Sequence, residues 1–232
     1  MFEVKNGSGG YDRTTIIENI NFTIKEGEKV ALLGRNGAGK TTLLKFIMKQ
    51  LNLSIGTTLI EGKELGNNPT LRARNGIGYV PQGRFVFEKL TVKENIAVVS
   101  YANGYNADDA IDLAFDIFPI LKDHQNRNAG SLSGGQQQIV AIARALAVKP
   151  KILLLDEPSE GIQPSIILDI ANSLNEINKT QSMALLIAEQ NLDFCMSVAN
   201  RAIVMNNGSI VKQVSKKELL DDKLTIKELL GV

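Results

Sequence analysis

Several residue types are scarce in this 232-residue sequence, which has no tryptophan, one cysteine and one histidine. The lone Cys195 has no disulfide partner, which fits a reducing compartment, and its apolar neighbours predict a buried thiol. The lone His124 lies in a polar segment, where we expect a solvent-exposed side chain. A net charge of +1 provides no long-range field to concentrate nucleic acid or anionic lipid, so we expect no nucleic-acid partner.

Long apolar runs are also missing. No stretch reaches the length of about 18 apolar residues that a membrane-spanning helix needs, and residues 1–6 lack the features of a signal peptide. We therefore expect the chain to stay in the cytoplasm without crossing a membrane. With 44% hydrophobic and 22% charged residues, the composition is that of a folded globular protein, and the length suits one catalytic unit. Only a short segment follows Val214, so we expect no C-terminal regulatory domain.

Short apolar segments alternate with helical patterns, which predicts an α/β fold with a largely parallel sheet. The predicted buried strands cover residues 30–33, 152–155 and 183–188. Amphipathic helices are predicted after Lys40 and after Pro164, because apolar residues recur there at helical spacing. These helices would cover the sheet.

An antiparallel part is predicted as well. Asn207-Gly208 separates two apolar segments and is a typical hairpin turn. We expect this hairpin to belong to an antiparallel sheet together with residues 1–5 and 19–25.

Strand patterns disappear between residues 85 and 147, where helix signals dominate. Thr91 and Glu94 have the spacing of a capping box, Asn103-Gly104 breaks the pattern, and Pro119 interrupts the next helix. We therefore expect one domain over residues 1–232. Its core and antiparallel strands would occupy residues 1–84 and 148–232, and a helical subdomain would be inserted at residues 85–147.

The first motif that carries chemistry is Gly34-Arg35-Asn36-Gly37-Ala38-Gly39-Lys40-Thr41, which matches the P-loop pattern between a predicted strand and helix. The glycines let backbone N–H groups surround phosphate oxygens, and the helix presents its positive end. Lys40 would hold the β- and γ-phosphates of ATP, and the Thr41 hydroxyl would bind Mg²⁺. We expect the nucleotide to contact this whole motif and the adjoining Thr42. The alternative is a glycine-rich turn without a ligand.

The second motif is a hydrophobic strand, residues 151–155, that ends in Asp156 and Glu157. Successive side chains at a strand end point in different directions, so two adjacent acids can take different roles. Asp156 would support Mg²⁺, and Glu157 would orient or deprotonate the attacking water. A solvated acidic loop is the alternative for such a pair taken alone.

The third motif is Leu132-Ser133-Gly134-Gly135-Gln136, which precedes another amphipathic helix. Ser133 can cap that helix, the glycines permit close approach, and the exposed N–H groups form a second anion-binding end. We therefore expect Ser133, Gly135 and Gln136 to contact phosphate. An ordinary glycine-containing helix cap is the alternative.

With these three motifs in the family's order along the chain, residues 34–41, 132–136 and 151–157, the sequence resembles the ATP-binding subunits of ABC transporters over essentially its whole length. The resemblance implies a P-loop (RecA-like) core and ATP hydrolysis. It also implies a head-to-tail dimer, in which the signature motif (residues 132–136) of one subunit closes on ATP held by the other. Tyr11 would stack on the adenine ring. Gln82 corresponds to the family's Q-loop glutamine, which reaches Mg²⁺ and the attacking water.

The resemblance also implies partners. The second ATPase subunit would be an identical copy or a paralogue. Two integral membrane permease subunits would bind near Gln82, with Arg84, Phe85 and Phe87 as candidate contacts, although core packing is an equal alternative for either phenylalanine. An extracytoplasmic solute-binding protein would act indirectly. The chain would then be peripheral on the inner face of the cell membrane.

Two departures from the family pattern affect catalysis. Gln190 stands where most members have a switch histidine, and an amide can donate a hydrogen bond to phosphate but cannot carry a proton. The D-loop, residues 158–164, lacks the usual aspartate. Both departures resemble the importer branch for branched-chain amino acids, and the loop is more similar to members that serve urea or short-chain amides.

Two alternatives to a transporter subunit stay open from the sequence. One is a non-transport ABC-type ATPase, although such proteins typically carry coiled-coil insertions or fused cassettes, which this chain lacks. The other is an ATP-dependent conformational switch with little turnover. A small-molecule kinase would leave the motif at residues 132–136 unexplained.

Overall fold

Two β-sheets form the framework of the fold in a computed structural model that describes residues 1–221, apart from the side chains of residues 178–181. The strands are β1 (Phe2–Tyr11), β2 (Thr14–Ile24), β3 (Lys29–Leu33), β4 (Leu53–Ile60), β5 (Lys63–Glu64), β6 (Ile77–Val80), β7 (Ile152–Asp156), β8 (Ala184–Glu189), β9 (Arg201–Asn206) and β10 (Ser209–Ser215). The helices are α1 (Lys40–Ile47), α2 (Pro69–Arg74), α3 (Val92–Ala102), α4 (Ala107–Ile117), α5 (Ile120–Asp123), α6 (Gly134–Leu146), α7 (Pro164–Gln181), α8 (Leu192–Val198) and α9 (Lys216–Asp221). The expectation about a regulatory domain after Val214 falls partly on residues 222–232, outside the described residues.

The larger sheet has the strand order β10-β9-β3-β8-β7-β6. Neighbouring strands from β9 to β6 pair in parallel, and β10 is an antiparallel edge strand. The three strands predicted as buried, β3, β7 and β8, lie side by side in it, and β8 begins at Ala184 rather than Met183. The α/β class with a mostly parallel sheet is therefore confirmed.

The smaller sheet is antiparallel, with the order β2-β1-β4-β5. The predicted hairpin at Asn207-Gly208 forms, but the expectation that it joins this sheet is wrong. β9 pairs in parallel with β3, because its residues 202–205 are buried on both faces, as suits an interior strand of a parallel sheet. β1 pairs instead with β2 on one side and with β4 on the other, and β4 is a strand that was not predicted from the sequence.

Helix α1 lies between the two sheets. Its buried side chains, including Leu43 and Phe46, share a core with β1, β2 and one face of the large sheet. The opposite face of that sheet packs against α6 and α7, including Ile139 and Leu174. Alternate residues of β7 belong to these two cores, because successive side chains of a strand point to opposite faces. The two adjacent acids at the end of this strand therefore point in different directions.

Helices α3 to α6 are inserted in the sequence between β6 and β7, which are neighbouring strands of the larger sheet. The Thr91 capping box is confirmed, because the Thr91 side chain accepts from the Glu94 N–H and the Glu94 carboxylate accepts from the Thr91 N–H. Pro119 stands between α4 and α5, as predicted. The subdomain boundaries at residues 85 and 147 stay a prediction.

Gly208 joins the hairpin to the smaller sheet and to the P-loop. Its N–H donates to the Ala38 carbonyl and its carbonyl accepts from the Glu18 N–H, both at 3.0 Å. It has φ +77°, and a Cβ would lie 2.0 Å from the Ile16 carbonyl oxygen. We expect Gly208→Ala to lower the free energy of unfolding by about 3 kcal/mol, measured by urea denaturation.

Gly104 is the matched control. It has φ +72°, but a Cβ at this position would meet no other side chain or backbone within 4 Å among the described residues. Gly104→Ala should lower the same free energy by about 1 kcal/mol. Equal losses in the two variants would contradict the proposed steric contact at Gly208.

Candidate functional site

The P-loop runs from the end of β3 at Leu33 to the first residue of α1, Lys40. Gly39 caps this helix with φ +100°, and a Cβ there would lie 2.9 Å from the Ile17 side chain. Only glycine therefore fits the turn that directs the loop backbone around the helix N-terminus. Anion binding at this helix end stays a prediction.

Lys40 is buried at this turn, with 5% of its side chain exposed. Its Nζ donates to the Gly34 carbonyl at 2.8 Å and to the Arg35 carbonyl at 3.4 Å. The same Nζ lies 3.2 Å from Glu157 Oε1. The predicted phosphate-binding cation and the predicted water-activating carboxylate are thus paired.

Asp156 ends β7 beneath the P-loop helix and is 1% exposed. Its Oδ1 accepts from the Thr41 hydroxyl at 3.0 Å, whereas Oδ2 is buried and has no hydrogen-bond partner among the described residues. Burial raises the pKa of the Asp156 carboxyl, and the Thr41 hydroxyl and Lys40 charge oppose this. The Tyr79 hydroxyl is likewise buried without a hydrogen bond in the described part of the chain, and it interacts with this carboxylate, since burial and the Asp156 charge raise the pKa of Tyr79.

Glu157 has a left-handed backbone, with φ +49°, and its N–H donates to the Ala188 carbonyl at 2.8 Å. Burial raises the pKa of the Glu157 carboxyl, the Lys40 charge lowers it, and the Glu189 charge raises it further. Gln190 lies directly beside it, because its Nε2 donates to Glu157 Oε1 at 3.3 Å and to Asn36 Oδ1 at 2.6 Å. The predicted switch residue therefore connects the P-loop to the second acid.

An open cleft of about 350 Å³ lies over the P-loop. Its lining residues are Tyr11, Ile16, Arg35, Asn36, Gly37, Gly39, Lys40, Thr41, Thr42, Gln82 and Glu157. Gly34 and Ala38 belong to the same loop without lining the cleft, and Asp156 lines an adjoining cleft together with Thr41 and Gln82. Tyr11 is 40% exposed, and Lys45 Nζ lies 5.6 Å from the centroid of its ring.

Gln82 makes a contact that was not predicted from the sequence. Its Nε2 donates to Glu160 Oε2 of the D-loop at 2.8 Å. Arg84 donates from the same side to the Glu160 and Gly161 carbonyls, at 3.3 and 3.1 Å. The Q-loop and the D-loop are thus joined by three hydrogen bonds.

The signature motif begins α6 at Gly134, and its Ser133 caps the helix as predicted. Ser133 Oγ accepts from the Gln136 N–H at 3.3 Å, and Gln136 Oε1 accepts from the Ser133 N–H at 3.0 Å. Ser133, Gly135 and Gln136 do not line the described cleft over the P-loop. The contact of these residues with phosphate therefore stays a prediction.

The exposed position predicted for His124 is wrong. Its ring is half-buried, and its Nε2 lies 3.0 Å from Gln136 Nε2. The polar composition around His124 gave no sign of a contact twelve residues along the chain.

Comparison with known proteins connects this geometry to a family. The family model for "ABC transporter" matches residues 17–160. The chain belongs to the ABC transporter family. The predicted resemblance is confirmed, and the chain is an ATP-binding protein of a family of ATPases.

Its relatives within the ABC transporter family include ATP-binding proteins of an amino acid transport system and of a lipopolysaccharide export system. The high-affinity branched-chain amino acid transport ATP-binding protein BraG of Pseudomonas aeruginosa is 38% identical, covering 90% of this chain and 91% of BraG. The lipopolysaccharide export system ATP-binding protein LptB of Escherichia coli is 33% identical, covering 98% of this chain and 95% of LptB.

A solved ABC structure supports the fold. The dimeric post-hydrolysis state of the ATP-binding cassette MJ0796, bound to ADP and Pi, matches with a TM-score of 0.82 at 26% identity. The match covers 93% of this chain and 99% of that one. In the described part of the present chain, no helix combines the length and apolar character needed to cross a bilayer.

Proposed function

We propose that this chain is the Mg²⁺-dependent ATPase subunit of an importer and hydrolyses ATP at a site completed by a second subunit. The observation that carries the proposal is the convergence of Lys40, Glu157 and Gln190 at the P-loop cleft. When ATP binds, the Lys40 ammonium would donate its hydrogen bonds to the β- and γ-phosphate oxygens instead of to the loop carbonyls. Tyr11, at the rim of the cleft, would stack on adenine.

Glu157 is the candidate general base for the attacking water. Its carboxylate is held by Lys40 at 3.2 Å and by the Gln190 amide at 3.3 Å. Gln190 cannot accept or release a proton, so its role would be to orient the carboxylate or donate to the γ-phosphate. Proton removal would therefore depend on Glu157 alone.

The residues around Asp156 fit a magnesium ion. Mg²⁺ prefers oxygen ligands and few carboxylates, and Asp156 Oδ2 is a buried oxygen that lacks a partner among the described residues. Thr41 Oγ1 lies 3.0 Å from the other carboxylate oxygen, and Gln82 lines the same cleft. When bound, Mg²⁺ would neutralise phosphate charge. Gln82 would have to leave Glu160 in order to reach it.

Replacing Asp156 with asparagine tests the magnesium proposal. We expect the Mg²⁺ concentration for half-maximal ATPase activity to rise at least about tenfold, because a carboxylate that supports the metal becomes a neutral amide. The measurement is the steady-state ATPase rate during Mg²⁺ titration. Asp116→Asn, an exposed carboxylate on α4, is the control and should leave the titration unchanged. An unchanged titration in Asp156→Asn would contradict the assignment.

Completion of the site by a second subunit follows from the position of the signature motif. Ser133 and the N-terminus of α6 present an anion-binding end outside the P-loop cleft of their own chain. A head-to-tail dimer would bring that end to the ATP of the partner, and the MJ0796 cassette is itself dimeric. The second subunit would be an identical copy or a paralogue.

The importer assignment draws on the BraG relative and on the sequence of the D-loop. The solute would be small and polar, such as a branched-chain amino acid, urea or a short-chain amide. Phe85 and Phe87, 64% and 48% exposed beside the Q-loop, offer an apolar surface for two membrane permease subunits. The chain would then act at the inner face of the membrane, and an extracytoplasmic binding protein would deliver the solute.

Purification from the native membrane tests this assignment. We expect the chain to copurify with two hydrophobic subunits, and solute-loaded binding protein to stimulate ATP hydrolysis by the complex. A chain that copurifies with no membrane subunit would favour a non-transport ATPase. ATP binding without turnover in the intact complex would favour a conformational switch.

A further inference from the structure

Glu189, the last residue of β8, is a buried carboxylate that the proposed mechanism does not use. It is 2% exposed. Its Oε2 accepts from the Ser159 N–H at 3.1 Å, and its Oε1 accepts from the N–H groups of Gln190 and Asn191 at 2.8 and 3.0 Å. Burying a carboxylate in this way is unfavourable unless its oxygens are fully hydrogen-bonded, so the three backbone donors determine its position.

These three donors belong to two segments of the candidate site. Ser159 lies in the D-loop, two residues after Glu157, and the same loop reaches Gln82 through Glu160. Gln190 carries the amide that contacts both Asn36 and Glu157. The Glu189 carboxylate therefore fixes the backbone of the D-loop against the backbone of the switch residue.

We infer that Glu189 is a positioning residue for ATP hydrolysis, which holds the D-loop and Gln190 in the arrangement that directs the Gln190 amide at Glu157. The inference rests on the proposed function of Glu157 and Gln190. Both Glu189 oxygens must act as acceptors, which only a carboxylate provides, because a glutamine has one acceptor oxygen and one NH₂ donor. The chain lacks the usual D-loop aspartate, and Glu189 supplies a carboxylate link to this loop from within the same subunit.

Glu189→Gln is the test variant, because it keeps the size of the side chain and removes one acceptor. We expect kcat for ATP hydrolysis to fall about tenfold, while KM and the equilibrium dissociation constant for ATP change less than about twofold. ATP affinity is kept because Lys40 and the P-loop do not contact Glu189. Fluorescent ATP-analogue binding and steady-state kinetics measure the two quantities.

Glu28→Gln is a matched control, since Glu28 also accepts a backbone N–H, from Lys25 at 2.8 Å, and pairs with Arg201 at 2.7 Å away from the cleft. It should lower the melting temperature and leave kcat unchanged. Should Glu189→Gln fail to fold, Glu189→Asp keeps the charge and shortens the side chain by one methylene. The same fall in kcat at constant ATP affinity is expected.

A double-mutant cycle with Gln190→Ala identifies the residue through which Glu189 acts. In the Gln190→Ala background, Glu189→Gln should lower kcat no further. If the kcat losses of the two single variants multiply in the double variant, or if Glu189→Gln leaves kcat unchanged, the inference about Glu189 is overturned. The proposed function is not affected by either result. Absence of Mg²⁺-ATP turnover in the wild-type complex would instead overturn the proposed function on which the inference rests.

Discussion

Replacing Glu157 with glutamine is expected to lower kcat for ATP hydrolysis by at least about a hundredfold, because the substituted side chain cannot accept a proton from water. ATP binding should persist. Glutamine keeps the shape of the side chain and can still accept hydrogen bonds from Lys40 and Gln190, which lie 3.2 and 3.3 Å from Glu157 Oε1. The variant should therefore accumulate as an ATP-bound dimer, measured by size-exclusion chromatography with Mg²⁺-ATP beside the steady-state ATPase rate.

Glu61→Gln provides the control for this experiment. Glu61 is exposed and pairs with Lys151 at 2.7 Å on the surface, so its replacement should leave both kcat and the oligomeric state unchanged. If Glu157→Gln behaved like this control, Glu157 would not be the base, and the chain would act as a switch whose turnover does not depend on this carboxylate.

Replacing Lys40 with alanine is expected to weaken ATP binding by at least about a hundredfold and to abolish turnover. A buried ammonium that contacts phosphate in a site of low dielectric makes strong charge-assisted hydrogen bonds, and their loss is large. Isothermal titration calorimetry with ATP measures the affinity. The contrast with Glu157→Gln, which should bind ATP without hydrolysing it, separates binding from chemistry.

Stability has to be checked in the Lys40 variants, because removal of one member of a buried ion pair leaves Glu157 unpaired. Lys40→Met keeps most of the side-chain volume and should show the same loss of ATP affinity. Lys63→Ala, at an exposed position in β5, should bind ATP normally. Normal ATP affinity in a folded Lys40→Met protein would contradict the assigned role.

Features governed by local chemistry could be predicted from the sequence. The P-loop, the capping boxes at Thr91 and Ser133, and the turn at Asn207-Gly208 depend on residues a few positions apart. The buried strand before Asp156 is similarly local, since a short run of branched apolar residues between turn signals favours a strand. The structure places these elements where the sequence predicts them.

Features that depend on distant residues could not be predicted in this way. The parallel pairing of β9 with β3 joins segments far apart in sequence, and a hairpin turn alone does not show which sheet it enters. The contacts from Gln82 to Glu160 and from Glu189 to Ser159 likewise connect separate loops. Glu189 gave one usable signal, which is an acidic residue at the end of an otherwise apolar strand.

The most direct test of the composite site is the specific rate of Mg²⁺-ATP hydrolysis as a function of protein concentration. Since two subunits would complete each site, the specific rate should rise with concentration until the dimer saturates. The activity should vanish in Glu157→Gln and Lys40→Ala. A specific rate that is constant over a range in which the protein is monomeric, and that depends on Glu157 and Lys40, would contradict the composite site.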